Sequence, residues 1–166
     1  MDLKKHIRSI TDYPKKGILF RDITTLFEHP EGLRDSINKL SERYKDFKID
    51  KIAAIEARGF ILGAPLAYIL NVGLVLIRKP GKLPAKTISQ DYDLEYGSDQ
   101  IEIHSDAIRP GEKVLIVDDL IATGGTAEAA VKIVEKMQGQ IVECCFIIDL
   151  PDIGGRARLE GIGQKV

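Results

Sequence analysis

Two adjacent carboxylates, Asp118 and Asp119, stand at the end of the apolar run Val114–Val117, and Ala122-Thr123-Gly124-Gly125-Thr126 follows within a few residues. Each half of this pattern has its own chemistry. Small residues at a helix start leave successive backbone N–H groups pointing outward, where unpaired donors and the positive end of the helix dipole favour a phosphate. The hydroxyls of Thr123 and Thr126 add donors. The carboxylates cannot hold the same anion, because like charges repel, but they suit a pair of vicinal hydroxyls that donate to them. Phosphate at one end and diol at the other describe a ribose 5-phosphate.

Such a site needs a strand, a loop and a helix in that order. Val114–Val117 is β-branched and apolar, and the Ala-rich amphipathic segment beyond Thr126 reads as a helix to about Gln138. Open α/β sheets bind ligands in the crevice at the carboxyl ends of their strands. A second strand, Lys51–Ile55, ends in Glu56-Ala57-Arg58-Gly59 before the helical FILGAPLAYIL, which puts Arg58 in that crevice. The plainer alternative for Arg58 is a surface ion pair with Glu56. After a strand at Val72–Ile77 comes a long interval carrying Arg78, Lys79, Lys82 and Lys86. Long loops inside compact domains are lids or disordered; this one reads as a flap closing over a polyanion, against the alternative of solvated lysines on a hairpin.

Elsewhere the pattern predicts a short helix at Asp2–Ser9, a turn at Tyr13–Gly17, an extended segment around Phe20, and a helix from about Pro30 to Phe47 with Leu33, Ile37, Leu40 and Tyr44 on one face. Phe20 reads equally as a core residue of an edge strand. A strand is expected at Ile101–Ile103, and Ile141–Leu150 is apolar almost throughout, as a parallel-sheet strand should be.

Rival readings of the central stretch fail on residues. A Walker-type phosphate loop needs a Lys after its glycines, and a dinucleotide fingerprint needs G-x-G-x-x-G; neither is present. A receiver domain carries its acidic pair on the first strand, whereas here only one helix and one strand are expected afterwards.

The stretch VLIVDDLIATGGT resembles the phosphoribosyl pyrophosphate signature of the type I phosphoribosyltransferases. FRDIT from Phe20, ARGF from Ala57, RKPGKLP from Arg78 and LEYG from Leu94 resemble the adenine-specific branch of that family, and the matches span Phe20 to Gly155. The resemblance implies an α/β chain with the type I phosphoribosyltransferase fold: a mostly parallel sheet flanked by helices, with a flexible flap at about 78–100 and a small N-terminal hood at about 1–28, all in a single domain over 1–166. It implies transfer of the 5-phosphoribosyl group from phosphoribosyl pyrophosphate to adenine, with AMP and pyrophosphate as products. Mg²⁺ is the implied cofactor, held mainly through substrate oxygens and water, since the ion dehydrates reluctantly. A homodimer is implied too, in which the residue matching Arg78 often reaches the neighbouring subunit's site.

Residue by residue, the resemblance makes Phe20 the platform on which the base stacks, with the Leu19 carbonyl and the Arg21 N–H reading its edge. One C=O and one N–H complement adenine's N6 donor and N1 acceptor. Arg58 lies by the base and pyrophosphate, with the Ala57–Arg58 peptide beside it, and Arg78, Lys79 and Lys82 neutralise pyrophosphate. Glu95 is the acid/base group and Tyr96 its neighbour. Asp118 and Asp119 take the ribose hydroxyls, and Leu120 and residues 122–126 complete the donor site. Family sequences continue past the Gly154-Gly155-Arg156 segment into another apolar strand; here GIGQKV follows Leu159 and Glu160, so that strand is expected to be absent or replaced. The same fold also serves regulators that bind ribose phosphate without turnover, but those carry a DNA-binding extension or a basic RNA-binding face, and the flap with Glu95 favours catalysis.

Bulk properties narrow the partners. A chain of 166 residues can bury a core without disulfides or metals. Its net charge of −1 gives no general affinity for nucleic acid or anionic membranes, and neither is expected as a partner. Cys144 and Cys145 are neighbours on a strand and point to opposite faces, so they are expected to be small buried hydrophobes in a reduced compartment. MDLKKHIRSI lacks the apolar core of a signal peptide and no run reaches membrane-spanning length, which makes a cytoplasmic location the expectation.

Overall fold

The first residues do not form the helix expected from Asp2 to Ser9. The computed structural model, which describes residues 1–94 and 97–166, has a single 3-10 turn at Leu3–His6 followed by a strand, β1 (Arg8–Thr11). The turn buries none of its residues, so nothing offsets the cost of nucleating a longer helix. Two compact units make up the chain, Met1–Lys45 and Asp46–Val166.

In the first unit β1 pairs antiparallel with β2 (Leu19–Asp22), setting Ile10 opposite Phe20. The Asp22 carboxylate accepts from the Thr24 hydroxyl at 2.6 Å and from the Arg8 guanidinium, and these bonds pull its pKa down to about 2. Two helices follow, α1 (Thr24–Glu28) and α2 (Pro30–Tyr44). Pro30 occupies the first turn of α2, where its missing N–H has no intrahelical partner to lose, and His29 Nδ1 accepts from the Gly32 N–H at 3.3 Å. Ile37, Leu40 and Tyr44 are buried as the spacing predicts, while Leu33 is only half-buried, and the helix stops three residues short of Phe47.

In the second unit the chain alternates strand and helix: β3 (Lys51–Ile55), α3 (Arg58–Leu70), β4 (Gly73–Ile77), the hairpin β5 (Thr87–Asp93) and β6 (Ser98–His104), then β7 (Lys113–Val117), β8 (Leu120–Ile121), α4 (Gly125–Lys136), β9 (Gln140–Cys145), β10 (Ile148–Asp149) and α5 (Gly155–Gly161). The main sheet has the order β4-β3-β7-β9, and every pair in it is parallel. Ile52 to Ile55 and Val114 to Val117 are 0–2 % exposed, because helices or the hairpin cover both faces. Burying each Ile, Leu or Val of this run contributes about 1.5–3 kcal/mol.

The expected continuous strand Ile141–Leu150 breaks after Cys145. The Ile147 and Ile148 N–H groups turn to the Asp119 carbonyl, at 3.1 and 3.0 Å, and start a second parallel ladder in which β10 pairs with β8. Among the described residues no further strand follows α5; instead the Cys144 N–H donates to the Lys165 carbonyl at 2.8 Å. No helix among the described residues is long and apolar enough to cross a membrane.

Cys144 and Cys145 are both buried. Burial pushes the Cys144 thiol up to about 12. At pH 8 its thiolate fraction is then about 10⁻⁴, and the thiolate is the nucleophile. Iodoacetamide at that pH is expected to leave Cys144 unmodified in the native protein and to modify it fully in guanidinium chloride, as read by peptide mass mapping. Rapid labelling of the native protein would contradict the burial.

Candidate active site

The loop from Asp118 to Gly124 begins where β7 leaves the sheet. Asp118 N–H donates to the Cys145 carbonyl at 3.0 Å and Asp119 holds two N–H groups through its own carbonyl, so the backbone beneath both carboxylates is fixed on each side. Asp118 Oδ1 accepts from the Asp119 N–H at 2.9 Å. Asp119 is 4 % exposed and its Oδ2 accepts from Arg58 Nε at 2.6 Å. Burial, reinforced by the neighbouring Asp119 charge, raises the Asp118 pKa well above the ordinary carboxylate range.

The pairing of Arg58 replaces the surface ion pair with Glu56 considered for it. Arg58 opens α3 directly after β3, and β3 and β7 are adjacent strands, so the two strand ends bring residues 61 apart into contact. The next residue makes this approach feasible: a Cβ on Gly59 would lie 2.8 Å from the Val117 carbonyl oxygen. The Glu56–Ala57 peptide is cis.

Glu56 is the residue that sequence reasoning missed here. Its carboxylate accepts from Arg78 Nε at 3.3 Å, from the Lys79 N–H at 2.8 Å, and from Lys82 Nζ. Burial raises its pKa, but these partners outweigh that and leave it below the ordinary value. Lys79 Nζ pairs with Asp99 and lies 2.7 Å from the Tyr92 hydroxyl. Burial opposes the Lys79 ammonium, and Asp99 with Tyr92 raises its pKa nonetheless. Tyr92 and Asp99 face each other across the β5–β6 hairpin, a pairing legible only once the register of that hairpin is known.

A cavity of about 130 Å³ is lined by Glu56, Arg78, Lys79, Tyr92, Asp118 and Thr126, together with apolar residues of the strand ends. Of the expected donor and pyrophosphate residues, Asp118, Thr126, Arg78 and Lys79 line this space, whereas Asp119, Leu120, residues 122–125, Arg58 and Lys82 are not part of its lining. Beyond Ile121 the loop reaches Gly124 with φ of 80°, and Gly125 and Thr126 open α4 without a side-chain cap. An uncapped helix start keeps its first N–H donors available to a ligand.

The base-side residues belong to the first unit. Phe20 lies on β2, half-buried rather than in the core, with the Tyr13 ring edge-on at 5.1 Å; Leu19 is 48 % exposed and Arg21 is half-buried. Glu95 and Tyr96 lie outside the described residues. Among the described residues no three acidic, His or Cys side chains converge as a metal cage. One partly engaged pair of carboxylates is a donor set that fits Mg²⁺ bound mainly by substrate oxygens and water.

Comparison with known proteins gives the family and the fold. The phosphoribosyl transferase domain family matches residues 22–157. The adenine phosphoribosyltransferase of Nitrosospira multiformis is 64 % identical over 166 residues, which cover 100 % of this chain and 95 % of that one. The crystal structure of adenine phosphoribosyltransferase from Thermoanaerobacter pseudethanolicus superposes with a TM-score of 0.92 at 51 % identity, covering 96 % of this chain and 93 % of that one. The Saccharomyces cerevisiae enzyme, solved with an imino-altritol bisphosphate and adenine, gives a TM-score of 0.89 at 41 % identity over 95 % of this chain and 92 % of its own. With its parallel sheet, uncapped α4 and paired carboxylates, the chain belongs to the adenine phosphoribosyltransferases of the type I phosphoribosyltransferase family.

Proposed function

We propose that the chain transfers the 5-phosphoribosyl group of phosphoribosyl pyrophosphate to adenine, releasing pyrophosphate and AMP in purine salvage. The observation that carries the reading is the meeting of Asp118 and Thr126 with Arg78 and Lys79 around one cavity at the strand ends. Residues 122–126 anchor the 5-phosphate, with Leu120 beside them, and Asp118 and Asp119 grip the 2- and 3-hydroxyls. This remote binding energy sets C1 of the ribose in line between base and leaving group. Pyrophosphate departs as positive charge builds at C1, and it takes over the cations that Glu56 and Asp99 hold in its absence: Arg78, Lys82 and Lys79. Arg58, tethered to Asp119, and the Ala57–Arg58 peptide contribute at the same end. Mg²⁺, when bound, neutralises charge on the leaving group. Glu95, with Tyr96 next to it, takes the proton lost by the base.

Adenine identity rests on Phe20 as platform and on the Leu19 carbonyl and Arg21 N–H as readers, which the kinship supports. The deciding experiment offers a panel of purine and pyrimidine bases with the donor and Mg²⁺. Adenine is expected to give a nucleotide; nucleotide from another base and none from adenine would overturn the assignment. Phe20→Ala is expected to raise the KM for adenine about tenfold, from a lost stacking contact of about 1–3 kcal/mol, with the donor KM unchanged. Equal increases in both would remove Phe20 from base recognition.

The working form is a cytoplasmic homodimer. Its support is an apolar face on α3 and β4, where Ile61, Ile69, Leu74 and Leu76 are exposed and Tyr68 is 87 % exposed. Ile61, Tyr68 and Ile69 follow helical spacing on one stripe of α3. Tyr68→Glu is expected to convert a dimer into single chains by sedimentation equilibrium. A wild-type protein sedimenting as one chain would refute this surface.

A further inference from the structure

The residues that hold the phosphate loop from behind come from α5, a helix that follows the last strand. Leu159, 0 % exposed, seats α5 in the same core as Ala127, Val131 and the rest of α4. At the start of α5 the Gly155 N–H donates to the Ala122 carbonyl at 2.9 Å. Gly155 is in such close contact with the loop that a Cβ there would overlap the Ala122 carbonyl and come within 2.9 Å of the Gly124 nitrogen. One turn later Arg158 reaches over the loop: its Nε pairs with Glu128, and its Nη1 lies 3.5 Å from the Thr123 carbonyl. These contacts fix the rear carbonyls of residues 122 and 123, and so set the direction of the N–H groups on the front.

The guanidinium has a second effect. Glu128 lies in the first turn of α4, the turn whose dipole attracts the phosphate, and an uncompensated carboxylate there repels that anion. Lys132 and Arg158 hold the Glu128 carboxyl below its ordinary pKa against the opposing effect of burial, and their charges offset its own.

We propose that α5 braces the phosphate loop and that Arg158 is a positioning residue for the donor's 5-phosphate, a reading that rests on the assignment of residues 122–126 to that phosphate. Gly155 supplies the close backbone contact and Arg158 joins the Thr123 carbonyl to Glu128. Arg158 touches no reacting atom; it acts through the loop.

Steady-state kinetics with phosphoribosyl pyrophosphate, adenine and Mg²⁺ test this. Arg158→Ala is expected to raise the donor KM about tenfold, from loss of one charge-assisted bond, with kcat and the adenine KM within about twofold of wild type. Arg158→Lys should recover part of the loss, since an ammonium still faces Glu128, and so should Arg158→Ala with Glu128→Gln, which removes a charge then offset by Lys132 alone. A fall in kcat together with rises in both KM values would mark a general structural defect and overturn the positioning role. Thr126→Ala is the control for the underlying assignment. If it raises the donor KM while Arg158→Ala does not, the brace is wrong and the loop reading stands; if neither does, the loop reading falls and takes the brace with it. Should Arg158→Ala fail to fold, Arg158→Lys, which keeps a charge facing Glu128 but loses the reach to the Thr123 carbonyl, is expected to raise the donor KM with kcat and the adenine KM unchanged, and an unchanged donor KM overturns the proposal.

Discussion

Replacing Asp118 and Asp119 together by Asn is expected to raise the donor KM roughly 10²- to 10⁴-fold, from two charge-assisted hydrogen bonds of about 1.5–3 kcal/mol each. The substitution keeps the shape of both side chains, and an Asn at 118 can still accept the N–H of residue 119 through its amide oxygen, as Asp118 does now. What changes is the charge offered to the ribose hydroxyls and, at 119, the ion pair with Arg58. An unchanged donor KM in the double variant would remove the pair from diol binding.

Asp118 alone gives this prediction a second readout. Its pKa lies above the ordinary carboxylate range because burial and then the Asp119 charge both penalise its ionised form. In the fold it therefore keeps a proton over a pH range where the unfolded chain has lost it. Stability falls as pH rises through that range, and the full cost is present once pH exceeds the folded pKa. Asp118→Asn removes an ionisation that the fold opposes, so its Tm at alkaline pH should exceed that of wild type even as donor binding weakens. Wild type should also bind the donor less tightly as pH drops through the same window, and the variant should lose that dependence. A site that holds two adjacent carboxylates costs stability to keep a binding function, a common trade at active sites.

The central stretch was legible because local rules suffice for it. A β-branched run, two carboxylates, small residues and a 3.6-residue apolar period specify strand, loop and helix without reference to the rest of the chain, and β7, Gly124 and α4 fall where that pattern puts them. The partners of Arg58 and Glu56 were not legible, because they depend on which strands are adjacent. Arg58 finds Asp119 through the β3–β7 pairing, and Glu56 finds Arg78 and Lys82 across the end of β4. Spacing along the chain carries no trace of either. Arg158 was hidden for the same reason, since its two contacts lie 30 and 35 residues away. The N-terminal turn shows the opposite error: Leu3 and Ile7 have helical spacing, but Leu3–His6 buries no face against a neighbour, and local propensity alone does not hold a helix. The strand expected to run from Ile141 to Leu150 was misread because its apolar run is continuous while its hydrogen bonding changes partner at Ile147.

Glu95→Gln is expected to lower kcat by ~10² to 10⁴, the usual cost of losing a positioned acid/base group, while the KM values for adenine and donor stay near those of wild type. The amide keeps the size of the side chain and its hydrogen-bonding reach but cannot take up the proton that adenine's ring nitrogen must lose as the new bond to C1 forms. In the reverse direction the same group is expected to return that proton to the departing base, so pyrophosphorolysis of AMP should fall by a similar factor. The pH profile separates this role from simple positioning. Wild-type kcat should show an acid limb, and the Gln variant a low rate with no such limb. Wild-type turnover in the variant, measured by pyrophosphate release, would assign the proton transfer to solvent. A low rate that kept the acid limb would assign it to another carboxyl. Leaving-group stabilisation is expected to be unaffected in either case, because it is proposed for Arg78, Lys79 and Lys82, which Glu56 and Asp99 hold at the strand ends apart from any proton transfer.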